Sequence, residues 1–175
     1  PQYVKPYVKT NKTDAADAEA ICEAVTRPNM RFVQIKTEEQ QAVLALHTER
    51  GILIRERIAC ANSLRATLAE FGITIAAGQN HLTRELPAIL EDGENGLSPF
   101  VRTSIYRQSK HIRELEEQVK QVEEALASWY RTQEACQRMA KIPGVGMLTA
   151  TYVVAAVGNA RQFSTAKQFA SWLGL

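Results

Sequence analysis

Proline and glycine are scarce, six and nine in 175 residues, and they cluster at a few points. That excludes a collagen-like or low-complexity chain. It also disfavours an all-β fold, which needs turn residues at short, regular intervals. Only three cysteines occur, Cys22, Cys60 and Cys136. They are widely spaced, with no C-x-x-C pair and no histidine beside them, so neither a disulfide framework nor a zinc site is indicated. Buried free thiols are the expectation. Aromatic residues make up 7%. No long apolar run exists: the longest, Leu148 to Val157, contains Thr149 and Thr151 and is too short to span a bilayer. With no signal peptide in view, a cytoplasmic location is expected. Neither sign of charge dominates, at 21 Lys and Arg against 19 Asp and Glu. That balance permits a nucleic-acid partner without arguing for one.

What is present is helical periodicity. Pro1 to Val8 reads as a short helix. Thr13 reads as an N-cap for an Ala-rich helix from Asp14 to Val25, ended by Arg27-Pro28-Asn29. Arg31 to Lys36 reads as a brief strand. Thr37-Glu38-Glu39-Gln40 has the form of a capping box. A long helix follows, with a stripe at Val43, Leu46, Ile54, Ile58, Ala61, Leu64, Leu68 and Phe71, closed by Gly72. A short helix from His81 to Leu90 is interrupted by Pro87. After the loop Asp92 to Gly96, Ser98-Pro99 opens a second long helix. Its stripe is Ile105, Ile112, Leu115, Val119, Val122, Leu126 and Trp129; from Ile112 onward the steps alternate three and four, as in a heptad seam. The two long helices are expected to pair as an antiparallel coiled coil. The seam from Ile112 to Leu126 is either a dimer interface or satisfied within the chain.

Two motifs bear on chemistry. Asp14 and Asp17 stand three apart at a helix start, so their carboxylates share one face. Such a pair can help hold Mg²⁺, which takes oxygen ligands, although acids in a first turn also simply offset the helix dipole. Lys12 is placed to meet a phosphate. The second motif, Ile142-Pro143-Gly144-Val145-Gly146, lies between two helical patterns, as in a helix-hairpin-helix. Gly144, Val145 and Gly146 would expose backbone N–H groups at a helix start, with Lys141 and Thr149 adding phosphate contacts. A plain structural corner is the alternative. After Ala127 the basic residues Arg131, Arg138, Lys141, Arg161 and Lys167 face a single acid, Glu134, which points to a nucleic-acid face at this end. His47, His81 and His111 are scattered and read as surface or interface residues.

These residues together resemble one transposase family, that of insertion sequence one hundred ten, related to the Piv and MooV invertases. The resemblance rests on Val4 to Tyr7, Asn11 to Ala18, Arg27 to Val33, Glu39 to Gln41, Leu46-His47 and Leu68 to Ile73. It continues through Ile142 to Gly146, Thr149-Ala150, Val154 to Gly158 and Trp172 to Leu175. It covers essentially the whole chain. It implies a bacterial recombinase with a RuvC-like α/β domain whose DEDD tetrad binds Mg²⁺, a coiled-coil region that supports assembly, and a C-terminal domain with a helix-hairpin-helix and a nucleophilic serine. DNA is the implied partner, for some members together with a structured guide RNA, and a homo-oligomer through the coiled-coil helices is implied too.

On this resemblance Asp14 and Asp17 match the last two acids of the tetrad. The first Asp, the Glu and the serine have no counterpart here; neither Ser164 nor Ser171 stands where the serine would. The expectation is an internal fragment, truncated at both ends and inactive alone. Its layout would be a catalytic-domain remnant over 1–36, a helical coiled-coil region over 37–132 and the start of the C-terminal domain over 133–175. The fold is expected to be mainly α. The rival reading is a non-enzymatic helical module for nucleic-acid binding and dimerisation.

Overall fold

The computed structural model describes residues 5–7, 13–28 and 35–174, with Gln79 described in its backbone alone. It is mainly α, and no strand occurs among the described residues. Most of the expected strand at Arg31 to Lys36 and of the expected Pro1 to Val8 helix lies outside them; Ile35 and Lys36 are described and are not in a strand. The chain divides into two compact units, residues 1–35 and 36–175.

In the first unit a 3-10 turn, Lys5–Tyr7, accompanies helix α1, Asp14–Val25. Thr13 caps α1: its hydroxyl accepts from the Ala16 N–H at 3.2 Å. Only Ala20 and Ala24 are buried. Cys22 is exposed, Cys60 is half-buried and Cys136 is buried, so the expectation of three buried thiols fails at Cys22. Residues 20 and 24 share a face one turn apart, and Cys22 points away from it.

In the second unit two helices of nearly equal length run antiparallel: α2, Glu38–Glu70, and α4, Pro99–Thr132, with α3, Gln79–Glu91, between them in sequence. Three ties set their register. The Trp129 indole donates to Glu39 at 2.8 Å, Arg50 donates to Glu123 at 2.7 Å, and the Cys60 thiol donates to the Gln108 carbonyl at 3.8 Å. The capping box at Thr37 and Gln40 forms in full. Beyond α2, Ile73 N–H bonds the Leu68 carbonyl and Gly72 N–H the Ala69 carbonyl, a Schellman arrangement that needs the positive φ of Gly72.

The apolar interior lies along this helix pair in two clusters. One joins Ala61, Leu64 and Leu68 to Ile105, Ile112 and the Leu82 and Leu86 of α3. The other joins Val43 and Leu53 to Leu115, Val119, Val122 and Leu126. The Ile112 to Leu126 seam is therefore buried within the chain. The expected stripe of α2 needs correction: Leu53 is buried, while Ile58 and Phe71 are largely exposed. Stepping from Leu53 by four reaches Arg57 and then Ala61, which turns Ile58 outward. A further difference lies in α3, which runs unbroken through Pro87; burial of Leu82 and Leu86 on α4 outweighs the missing N–H.

After Gln133 come α5, Glu134–Met139, α6, Met147–Val157, a 3-10 turn at Ala160–Gln162, and α7, Ala166–Leu173. α6 packs against α2, α4 and α5. Among the described residues no helix is long and apolar enough to cross a membrane.

Candidate metal and nucleic-acid sites

Asp14 and Asp17 both fall in the first turn of α1, Asp14 exposed and Asp17 half-buried. Neither carboxylate has a hydrogen-bonding or ionic partner among the described residues. Spaced by three, they lie on adjacent turns of one face, at the helix end where the macrodipole favours negative charge. Two carboxylates so placed are a suitable donor set for a hard divalent cation, which fills its remaining positions with water and phosphate. Among the described residues no group of three or more His, Cys, Asp or Glu side chains converges, so the pair provides part of a coordination shell. Lys12 lies outside the described residues.

The second unit brings together the other residues singled out. The segment Ile142-Pro143-Gly144-Val145 is a β-turn closed by Val145 N–H to the Ile142 carbonyl at 3.0 Å. Pro143 takes the second position and Gly144, with φ +85°, the third, as a type II turn requires. Gly146 caps α6 in extended conformation with no side-chain hydrogen bond to the first-turn amides. Lys141, Gly144, Gly146 and Thr149 are all exposed and Val145 is half-buried. The turn thus offers water-facing amides at a helix start, flanked by a lysine and a threonine, with no acid nearby in sequence. Cys136 holds its two helices together: fully buried, it donates to the Ala150 carbonyl at 3.8 Å, and burial pushes its thiol pKa up. It serves as a packed small side chain, not a nucleophile.

One further group escaped sequence reasoning. His47 on α2 meets the fully buried Thr151 of α6 at 3.0 Å and packs edge-on against Tyr152. Thr151 donates its own hydroxyl proton to the α6 backbone, to Met147 or Leu148. It therefore accepts from His47 Nε2–H, which fixes the histidine tautomer. Burial, and then the Arg50 charge, lower the His47 pKa. The contact spans 104 positions in sequence, and a lone histidine gives no local sign of it.

Two family profiles match the sequence. One described as "Transposase", of DEDD type, covers residues 1–73, and one described as "Transposase IS116/IS110/IS902 family" covers residues 136–175. Curated relatives align along the whole chain. The transposase for insertion sequence element IS1111A of Coxiella burnetii is 43% identical over 175 residues, which are 48% of its length. A probable family 20 transposase of Pseudomonas aeruginosa is 41% identical, with 52% of its length covered. The transposase for insertion sequence element IS1328 of Yersinia enterocolitica is 39% identical, also over 52% of its length. The chain spans about half the length of these relatives. No solved structure matches.

Proposed function

The chain belongs to the IS116/IS110/IS902 family of transposases, and from that premise we propose that it supplies half of a metal site and one DNA-backbone contact to a recombinase that cuts and rejoins DNA. The observation that carries this is the Asp14 and Asp17 pair on the first turn of α1, without a partner among the described residues and inside the DEDD-type match. Here Asp14 and Asp17 are the last two acids of the tetrad, and the first unit is the end of a RuvC-like domain. Asp14 and Asp17 would hold a divalent cation, Mg²⁺ in this reading, which when bound would supply activation of an attacking oxygen and charge neutralisation at the leaving one. The neighbouring small side chains Ala15, Ala16 and Ala18 leave room for a DNA backbone.

The α5–α6 turn serves as the hairpin of a helix-hairpin-helix. The amides of Gly146 and the α6 start meet a phosphate, and Lys141 and Thr149 add to it, while the Val145 N–H is spent on the Ile142 carbonyl and shapes the turn. This contact positions DNA without reading its sequence. Lys12 contributes a phosphate contact on the side of the carboxylates. The reading includes a serine nucleophile outside this sequence, so the 175-residue chain alone neither cuts nor joins DNA.

The test is Mn²⁺ binding, followed by paramagnetic resonance, in the wild type and in Asp14→Ala/Asp17→Ala. Specific binding lost in the double variant supports the metal role. Binding unchanged in the variant removes it, and Mg²⁺-dependent nicking by the pure chain removes the claim of inactivity.

A further inference from the structure

From Ala135 to Leu175 the sequence contains no Asp or Glu, while Arg138, Lys141, Arg161 and Lys167 are spread through it. Arg138 has one carboxylate partner, Glu134, at 3.4 Å. Lys141, Arg161 and Lys167 are exposed and have no ion pair among the described residues. This end of the second unit is therefore a cationic surface without internal compensation, which selects for a polyanion.

The same surface carries an aromatic group. Phe169 and Trp172 of α7 lie nearly parallel, 12° apart in plane, with centroids at 6.3 Å. Phe163 meets both, at 5.3 and 5.7 Å. Trp172 keeps 44% of its surface exposed, and α7 buries none of its residues. Beside the rings a cavity of about 390 Å³ opens between α5, α6 and α7, walled by Met139, Val153, Val157, Phe163 and Phe169, with Arg138 at its edge. An apolar slot lined by rings, with Arg138 at its edge and the exposed Arg161 and Lys167 close by in sequence, suits a ligand that is flat and apolar in one part and anionic in another. A nucleotide with its base out of the stack has that character, because every base offers a π-face whatever its identity.

Spacing adds to this. The cavity meets α6 at Val153 to Gly158, while the proposed hairpin amides lie at its start, Gly146 to Thr149. At 1.5 Å per residue the two are about 10–14 Å apart along the helix. That is three to four base-pair rises along a duplex axis at about 3.4 Å each.

We propose that Trp172, with Phe163 and Phe169, forms a stacking site for an unpaired base of the DNA strand whose phosphate rests on the α5–α6 turn, and that Arg161 and Lys167 hold the intervening backbone. The inference rests on the DNA-binding reading of that turn. It deepens that reading by making the chain a reader of unpaired structure: opening a base from a paired duplex costs free energy that a bulged or gapped strand has already met.

The test compares binding of one fully paired oligonucleotide duplex and the same duplex with a single unpaired base, by wild type, Trp172→Leu, Trp172→Phe and Gly144→Ala/Gly146→Ala. Circular dichroism checks that each variant folds. The wild type is expected to prefer the bulged duplex. Trp172→Leu should bind it about 5- to 100-fold more weakly with paired-duplex binding unchanged, Trp172→Phe should keep most of the preference, and the glycine variant should weaken both. In a Trp129→Phe background, Trp172 is the remaining tryptophan, and its emission should be quenched by the bulged duplex alone. If paired duplex binds through Gly144 and Gly146 but Trp172→Leu loses nothing on the bulge, the stacking site is wrong and the hairpin stands. If the wild type binds neither duplex, both fall.

Discussion

Arg102 gathers the end of α3 and the loop after it onto α4. Its Nε donates to the Leu97 carbonyl at 3.1 Å, and its terminal nitrogens donate to the carbonyls of Ile89, Leu90 and Asp92 and to the Asn95 side chain. It thereby satisfies the open C-terminal end of α3 and fastens the 92–98 loop to α4. Replacing it by Met keeps the aliphatic stem and takes the guanidinium from the Leu90, Asp92 and Leu97 carbonyls, while the Ile89 carbonyl keeps its bond from the Asn95 amide at 2.7 Å. Arg102→Met should cost about 2–3 kcal/mol, measured by urea unfolding; a loss under 0.5 kcal/mol would show that water replaces the guanidinium fully. His47 gives a second residue-scale expectation. Burial and Arg50 hold its folded pKa below the ordinary value of about 6.5, so the fold favours the neutral ring. Its contribution is complete above the unfolded value and is lost as pH falls through the lowered folded one. The groups facing it are Arg50, Thr151 and Tyr152. Stability should drop on acidification through that window in the wild type and more shallowly in His47→Gln, seen as thermal midpoints against pH.

Elements differ in how far their own residues announce them. Ser98-Pro99, the Thr37 capping box, Gly72 and the Pro143-Gly144 turn were all legible, because caps and turns are decided by side chains within a few positions. The α4 seam was legible for the same reason of short-range spacing, and Ile105 to Leu126 are buried as the pattern required. The α2 stripe was read one position off at Ile58 because both Ile54 and Ile58 fit a helical repeat, and which face is inside depends on where α4 lies. Pro87 was read as an interruption because local propensity disfavours it mid-helix; tertiary burial overrode that. Asp14 and Asp17 are recognisable as a carboxylate pair, but two acids spaced by three do not separate metal chemistry from dipole compensation. The exposed Pro87 invites its own test. Pro87→Ala restores the missing intrahelical N–H, and despite the looser unfolded chain it should stabilise the second unit by about 1–2 kcal/mol, read as a raised urea midpoint.

At the scale of the whole second unit, the two apolar clusters are strung along the same pair of helices and meet near Arg57, whose Nε is buried without a hydrogen-bond partner. Neither cluster closes without both helices, so they should unfold as one. Leu64→Ala and Leu126→Ala, both at fully buried positions, should each cost about 2–5 kcal/mol and lower a single shared transition. Two separate transitions in calorimetry, each shifted by one variant, would show independent halves. The pairing of the two long helices is legible in their stripes, but the place of α6 is not: it joins the bundle from far along the chain through Thr151 and through Gly158, whose α-carbon faces Gln40 so closely that an added Cβ would sit 3.3 Å from its amide.

That shared use of α6 has a mechanical side. The helix whose first turn borders Gly146 is also clamped across one end of α2, a rod of 33 residues and hence about 50 Å long. Were the hairpin and the rod to turn as one body, each degree of tilt at Gly146 would become nearly one ångström of travel at the rod's far end.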